Sequence, residues 1–247
     1  MILAAGLGTR LKPITDKIPK ALVEVDGVPM LERVILNLKN QGFNYIVVNV
    51  HHFSEMVKDY LNSKDFGIEI QVSDESDELL DTGGGIVKAS RLLFKEDDSP
   101  VLIHNVDILS NARLEDVLEQ ISRGETEVSL LVSDRPSTRK LLFNEEMDLL
   151  GWHDLKNEVF RPVDIKGKEA KELAFSGIYA VSKKGVEEME KKFGEGRFPV
   201  MDYFLDFDRE ARIKGIEQEG LQLIDIGKPA TLSQASQIFK DRDKFVN

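Results

Sequence analysis

The sequence predicts an α/β protein: a doubly wound, mixed but mostly parallel sheet with an antiparallel excursion in its second half. Three observations carry that expectation. Strand-like and helix-like segments alternate with short connections through the first half, the pattern of consecutive βαβ units. The run Tyr45–Val50 (YIVVNV) is β-branched and almost continuously apolar, which suits a strand covered on both faces. Beyond Asp134 the rhythm changes to short strand-like pieces separated by polar turns.

Ile2 to Ala5 are apolar and run into a glycine-containing loop. A helix is expected over 29–42, because Met30, Val34 and Leu38, flanked by Leu31 and Ile35, recur at helical spacing and Gly42 suits the C-terminal cap. After the strand Tyr45–Val50, Ser54 is expected to cap a helix reaching about Leu61. Ile68, Ile70 and Val72 alternate as a strand, and Gly85–Phe94 reads as a helix. Val101–Val106 (strand), Leu114–Ser122 (helix) and Val128–Val132 (strand) complete the first half. The excursion holds strand pieces at Lys140–Phe143, Leu149–Trp152 and Ala174–Val181. Helices follow at Lys183–Phe193 and Pro199–Lys214, then a strand at Leu221–Ile226 and a last helix at Pro229–Phe239.

The 247 residues carry 33 Lys and Arg against 44 Asp and Glu, a net charge of −11. Such a chain lacks the basic footprint that nucleic acid or an anionic membrane surface requires, so neither is an expected partner. No apolar run is long enough to span a bilayer. Met1–Gly6 has no basic region of the kind that opens a signal peptide, and cysteine is absent, which removes disulfides and thiolate chemistry. The expected compartment is the cytoplasm.

The most informative stretch is Leu3-Ala4-Ala5-Gly6-Leu7-Gly8-Thr9-Arg10-Leu11, followed by Pro19-Lys20-Ala21-Leu22. A strand that ends in small residues and glycines lets backbone N–H groups approach an anion. Arg10 and Lys20 then supply the fixed cations that a polyphosphate needs. The two common nucleotide loops fail here. A dinucleotide fingerprint needs a third glycine where Leu11 stands, and Gly8-Thr9-Arg10 does not give the Gly-Lys-Ser/Thr of a P-loop.

These residues resemble the signature L-A-A-G-x-G-T-R-L…P-K-x-L of the sugar-1-phosphate nucleotidyltransferases, with Ala21 where proline is commonest. Asp81-Thr82-Gly83-Gly84-Gly85-Ile86 resembles the family's glycine-rich segment that faces the nucleobase. Asn105-Val106-Asp107 resembles its G/N-x-D metal motif, and Asp225-Ile226-Gly227-Lys228-Pro229 resembles the second, D-I/V-G-T-P. The short chain and the T-G-G-G-I segment are most similar to N-acetylmuramate-1-phosphate uridylyltransferases, with mannose- and heptose-1-phosphate guanylyltransferases as close competitors.

The resemblance implies a Rossmann-like fold of the nucleotide-diphospho-sugar transferase type in one domain, residues 1–247. Residues 1–133 would form the nucleotide-binding half, and 134–247 the sugar-binding half with the closing helices. It implies an enzyme that joins UTP or GTP to a sugar-1-phosphate with release of pyrophosphate. Arg10, Lys20 and Asp107 would be catalytic, and Asp107 and Asp225 would hold Mg²⁺. The nucleotide would meet Leu3, Ala4, Ala5, Gly6, Gly8, Thr9, Arg10, Thr82, Gly83 and Gly84. The sugar would meet Trp152, Ser176 and Gly177. The net charge says nothing against small polyphosphates, because the local field of Arg10, Lys12 and Lys20 decides that.

Other features read as structural: the pair His51-His52 as a loop, His104 as packing, and Arg139 and Lys140 as surface cations. Val106 stands where glycine is common, which narrows the ligand's approach; Lys228 replaces the threonine that would cap the last helix. Relatives usually carry a few residues before the first strand, so a short first strand or missing leading residues are both expected. The rival of a different class is a catalytically silent nucleotide- or sugar-binding homologue.

Overall fold

A computed structural model describes residues 1–240. In chain order the elements are β1 (Ile2–Leu3), β2 (Glu24–Val25), β3 (Val28–Pro29), α1 (Met30–Asn40), β4 (Tyr45–Val50), α2 (Ser54–Asn62), β5 (Glu69–Asp74) and α3 (Asp81–Leu93). Next come β6 (Val101–Asn105), β7 (Ile108–Ser110), α4 (Leu114–Ser122), β8 (Val128–Ser133), β9 (Arg139–Phe143), β10 (Leu149–Asp154), β11 (Val159–Arg161) and β12 (Lys171–Val181). The chain then forms α5 (Lys183–Phe193), α6 (Val200–Phe204), β13 (Ile213–Ile216), β14 (Leu223–Asp225) and α7 (Pro229–Lys240).

The main sheet runs β11-β10-β9-β12-β6-β1-β4-β5, with β8 pairing β12 and β13. Strands β6, β1, β4 and β5 are mutually parallel, as is β13 with β8. The long strand β12 runs antiparallel to β6, β8 and β9, and so joins the parallel part to the excursion.

Alternate strand residues enter opposite cores, the consequence of a two-residue side-chain period. Ile2, Ile46, Val48, Val50, Leu102 and Ile178 point to one cluster, packed by α1, α2 and α4. Leu3, Val47, Ile103 and Tyr179 point to the other, packed by α3, α5 and α6. Each fully buried Leu or Ile contributes about 1.5–3 kcal/mol, so both faces are closed by burial rather than by strand propensity. In α1 the expected residues Met30, Leu31, Val34, Ile35 and Leu38 are all buried, and Gly42 lies just past the helix at φ 90.

Four local expectations are corrected. Ser54 is the first residue of α2; the capping position is held by Phe53 in a left-handed conformation, without a side-chain cap. Helix α3 starts four residues earlier than expected, at Asp81, so its glycines lie inside the first turns. No helix covers Pro199–Lys214: α6 is one short piece, and Ile213–Ile216 extends the sheet beside β8, with Ile213 and Gly215 buried. The Asp206 side chain and carbonyl close a turn on Asp208 and Arg209, which ends helical continuity before that strand. Lys140 is buried, not a surface cation; its ammonium reaches the Arg135 carbonyl at 2.9 Å. Three further elements go beyond the expected set: the β2–β3 hairpin turned at Asp26-Gly27, the edge strand β11, and β7, which pairs with β14 inside the expected strand Leu221–Ile226.

Candidate active site

The site forms at the C-terminal ends of the parallel strands, where open α/β sheets bind ligands. A cavity of about 360 Å³ opens there. One wall is the loop after β1, with Ala5, Gly6, Leu7, Gly8 and Thr9. The opposite wall is Leu79, Asp81 and Thr82 at the start of α3. Leu3, Lys20 and Asn49 contribute to the floor, together with Asn105, Val106 and Asp107.

Gly8 shapes the loop. Its φ is 64, a left-handed conformation, and a Cβ there would stand 2.8 Å from the Thr15 methyl and 3.0 Å from Lys20 Cβ. Its carbonyl accepts from Leu11 N–H and from the Thr15 hydroxyl, both at 2.8 Å. The loop therefore folds back over the Lys20 stem, which sends the ammonium across to Asp107.

Lys20 donates to Asp107 Oδ2, and both side chains are largely buried. The Arg10 guanidinium stands 3.9 Å from the same oxygen and is half exposed, at the rim. Lys12 turns away and pairs with Asp16 at 2.9 Å. Of the three cations expected at this edge, two converge on the carboxylate and one does not.

The ribbon β7–β14 brings Asp225 to Asp107. Asp225 stands opposite Ile108 in that ribbon, and Ile226 N–H donates to the Asp107 carbonyl at 2.8 Å. Asp225 Oδ1 accepts the Gly227 N–H at 2.7 Å. Gly227 has no room for a side chain, because a Cβ there would meet the Arg10 guanidinium and stand 2.8 Å from Asp225 Oδ1. Arg10, Asp107 and Asp225 are thus packed around one backbone segment.

No group of three or more His, Asp or Glu side chains able to hold a metal occurs among the described residues. The donor set on offer is two carboxylates. That fits Mg²⁺, which takes one or two protein carboxylates and fills its octahedron with phosphate oxygens and water.

The other expected residues lie as follows. Ala4 is behind the cavity, its N–H donating to Asn49 Oδ1 at 2.7 Å. Gly83 and Gly84 do not line the cavity; both N–H groups donate to the Phe198 carbonyl, at 2.9 and 3.2 Å. A Cβ on Gly83 would enter the Phe198 ring, and one on Gly84 the Gly196 carbonyl. The close approach these glycines permit is therefore to their own chain. Gly177 (φ 75) lies at an irregularity in β12 and backs against Asn105, whose amide nitrogen would stand 2.8 Å from a Cβ. Ser176 is buried, and its hydroxyl has no hydrogen-bond partner among the described residues. Trp152 packs against the second core under the Arg161 guanidinium, 5.8 Å from its ring centre, away from the cavity lining.

His51 donates through Nδ1 to the Glu75 carbonyl at 2.6 Å, and His52 packs on Phe53. His104 is buried beneath the site, and burial lowers it to about 4, so the ring is neutral. Asp81 and Asn105 enter the lining with the motifs expected there, whereas Asn49 and Leu79 were not expected from the sequence. Asn49 had a signal: it is a polar residue inside the otherwise apolar strand β4.

Residues 1–140 match the family described as Nucleotidyl transferase. The chain is 30% identical over 241 residues to an N-acetylmuramate alpha-1-phosphate uridylyltransferase of Caulobacter vibrioides, covering 93% of this chain and 91% of that one. It is 29% identical over 237 residues to a mannose-1-phosphate guanyltransferase of Gibberella zeae, covering 93% of this chain but 60% of that longer protein. Among solved structures, HddC from Yersinia pseudotuberculosis complexed with GMP-PN aligns with a TM-score of 0.76 at 24% identity, over 96% of this chain and 97% of that one. An inositol-1-phosphate CTP transferase from T. maritima aligns with a TM-score of 0.76 at 18% identity, over 100% of this chain and 96% of that one. These two likenesses concern the fold.

Proposed function

The chain belongs to the nucleotidyl transferase family, and on that premise we propose that it joins a nucleoside triphosphate, UTP or GTP, to a sugar-1-phosphate, releasing pyrophosphate. The observation that carries this reading is the convergence of Lys20 and Arg10 on Asp107, with Asp225 delivered beside it, at the mouth of a glycine-loop cavity. The relatives named for uridylyl and guanylyl transfer support the choice of bases and make N-acetylmuramate-1-phosphate and mannose-1-phosphate the first acceptors to try. The reading takes residues 1–247 as one domain working in the cytoplasm.

In this reaction an oxygen of the sugar-1-phosphate attacks the α-phosphorus in line, the bond to the β-phosphate oxygen breaks, and pyrophosphate carries away the electron pair. Little acid–base chemistry is needed; positioning and charge neutralisation are. Backbone N–H groups of Gly6 to Thr9 face the triphosphate. Arg10, at the exposed rim, neutralises the departing pyrophosphate. Lys20, held by Asp107 and packed under Gly8, points its ammonium at the reacting phosphate. Asp107 and Asp225 would hold Mg²⁺, which when bound lowers the charge on the phosphate oxygens. Asp81 and Thr82, which line the same cavity at the start of α3, meet the nucleoside.

The test is pyrophosphate release over a matrix of four triphosphates and a panel of sugar-1-phosphates with Mg²⁺. Turnover with UTP or GTP and one sugar-1-phosphate is expected. Absence of turnover for every pair, with triphosphate binding retained, would instead identify a silent binding homologue.

A further inference from the structure

Glu75 follows β5, is wholly buried, and has no part in the reaction proposed above. Its two carboxylate oxygens serve different elements. Oε1 accepts from Asn49 Nδ2 at 2.6 Å, and Oε2 accepts from Leu80 N–H at 3.3 Å. Asn49 in turn accepts Ala4 N–H through Oδ1. A relay of hydrogen bonds thus runs from the strand that ends in the glycine loop, across β4, to the residue that precedes α3.

The Glu75 backbone is also fixed. Its N–H donates to the Val50 carbonyl at 2.7 Å, and its own carbonyl accepts from His51 and from Glu78 N–H. Helix α3 comes close enough only because residue 85 is glycine: a Cβ there would stand 2.6 Å from Glu75 Oε1 and 2.9 Å from Asn49 Nδ2. Burial pushes the carboxyl upward, and the Asn49 and Leu80 donors oppose that by favouring the ionised form.

We propose that Glu75 is a positioning residue: through the relay Ala4–Asn49–Glu75–Leu80 it sets the spacing of the two walls of the nucleotide cavity. This rests on the reading that the cavity takes the triphosphate. The relay has one permitted sense. Asn49 must present its oxygen to Ala4, so its NH₂ faces Glu75, and Leu80 N–H also faces Glu75. Position 75 must therefore offer two acceptors. In Glu75→Gln one acceptor becomes a donor, and a donor meets a donor wherever the amides are flipped. A buried unmatched donor is costly, so a wall moves instead. The pair Asn49→Asp with Glu75→Gln restores the sense: the new carboxylate at 49 accepts from both Ala4 and the new amide at 75, whose oxygen accepts from Leu80.

The experiment measures equilibrium binding of UTP and GTP, with KM and kcat, for the wild type, E75Q and N49D/E75Q. E75Q should bind the triphosphate about tenfold more weakly. KM for the triphosphate should rise in step, with kcat and the sugar-1-phosphate KM within about twofold. The double variant should return to within about threefold of the wild type. If E75Q is not recovered folded, the double variant carries the comparison with the wild type alone. Unchanged binding by E75Q overturns the proposal, as does a double variant that fails to fold or binds no better than E75Q. A wild type that binds neither triphosphate overturns the reading of the cavity, and the proposal with it.

Discussion

The backbone N–H of Ile226 donates to the backbone carbonyl of Asp107 across 2.8 Å. That bond extends the β7–β14 ribbon to the turn after β6, and ribbon and bond together make Asp107 and Asp225 neighbours although they lie in distant parts of the chain.

Asp225→Asn keeps an acceptor for Gly227 N–H and removes one negative charge. Catalysis should fall by about a hundredfold or more while the urea midpoint stays within error, because a hard divalent ion held as proposed would lose one of its two carboxylates. Pyrophosphate release and a denaturation curve check both halves. Undiminished turnover would remove Asp225 from the proposed metal pair.

Lys20→Met keeps an unbranched stem beneath Gly8 and removes the ammonium that meets Asp107. kcat/KM should drop by about 10²–10³, the usual cost of one preorganised electrostatic contact. Lys20→Arg should not restore it, since a planar fork does not fit where a compact ammonium sits. Steady-state kinetics on the two variants decide the matter.

Gly83→Ala places a methyl into the Phe198 ring. Such overpacking should cost about 1–3 kcal/mol of stability by urea titration. The cost should shrink in Gly83→Ala combined with Phe198→Leu, and a double-mutant cycle reads the coupling. Additive effects would show that the contact with Phe198 is not what requires glycine here.

His104 is held neutral by burial, with its value lowered from 6.5 to about 4. The unfolded chain therefore binds a proton on this ring below pH 6.5 that the folded chain refuses. Stability should fall as pH drops from 6.5 to about 4, by about 1.4 kcal/mol per unit and about 3 kcal/mol in all, then level off in this component. His104→Gln should flatten that part of the profile relative to the wild type. Parallel profiles for the two proteins would contradict it.

Periodicity and β-branching made the parallel half of the fold legible. β4, α4 and α5 have the expected bounds, because each buries a full face or stripe that its own sequence spells out. β13 was not legible. Its four residues follow a charged turn, and only pairing with β8 makes them a strand. The same holds for β7, a strand of three residues because it finds β14, which itself lies within the strand expected at Leu221–Ile226.

At the site, the loop after β1 was readable because glycine and fixed cations at close spacing have a local meaning. Glu75 was not, since an acidic residue among Asp74, Asp77 and Glu78 looks solvated until the chain buries it. The glycines after Thr82 were noticed, but their neighbours Phe198, Gly196 and Glu75 come from elsewhere in the fold, so their geometric purpose could not be read locally.

The ribbon β7–β14 also imposes an order of assembly during translation. Every residue that lines the cavity lies between Leu3 and Asp107, so the ribosome releases the whole lining early. The second carboxylate emerges only with β14, after the excursion and β13 have been made. A nascent chain released through Asp107 therefore has every residue of the cavity lining but only one of the two carboxylates proposed to hold the metal, and the α3 wall still waits for Phe198 and Val200, which bond to Leu80, Thr82, Gly83 and Gly84.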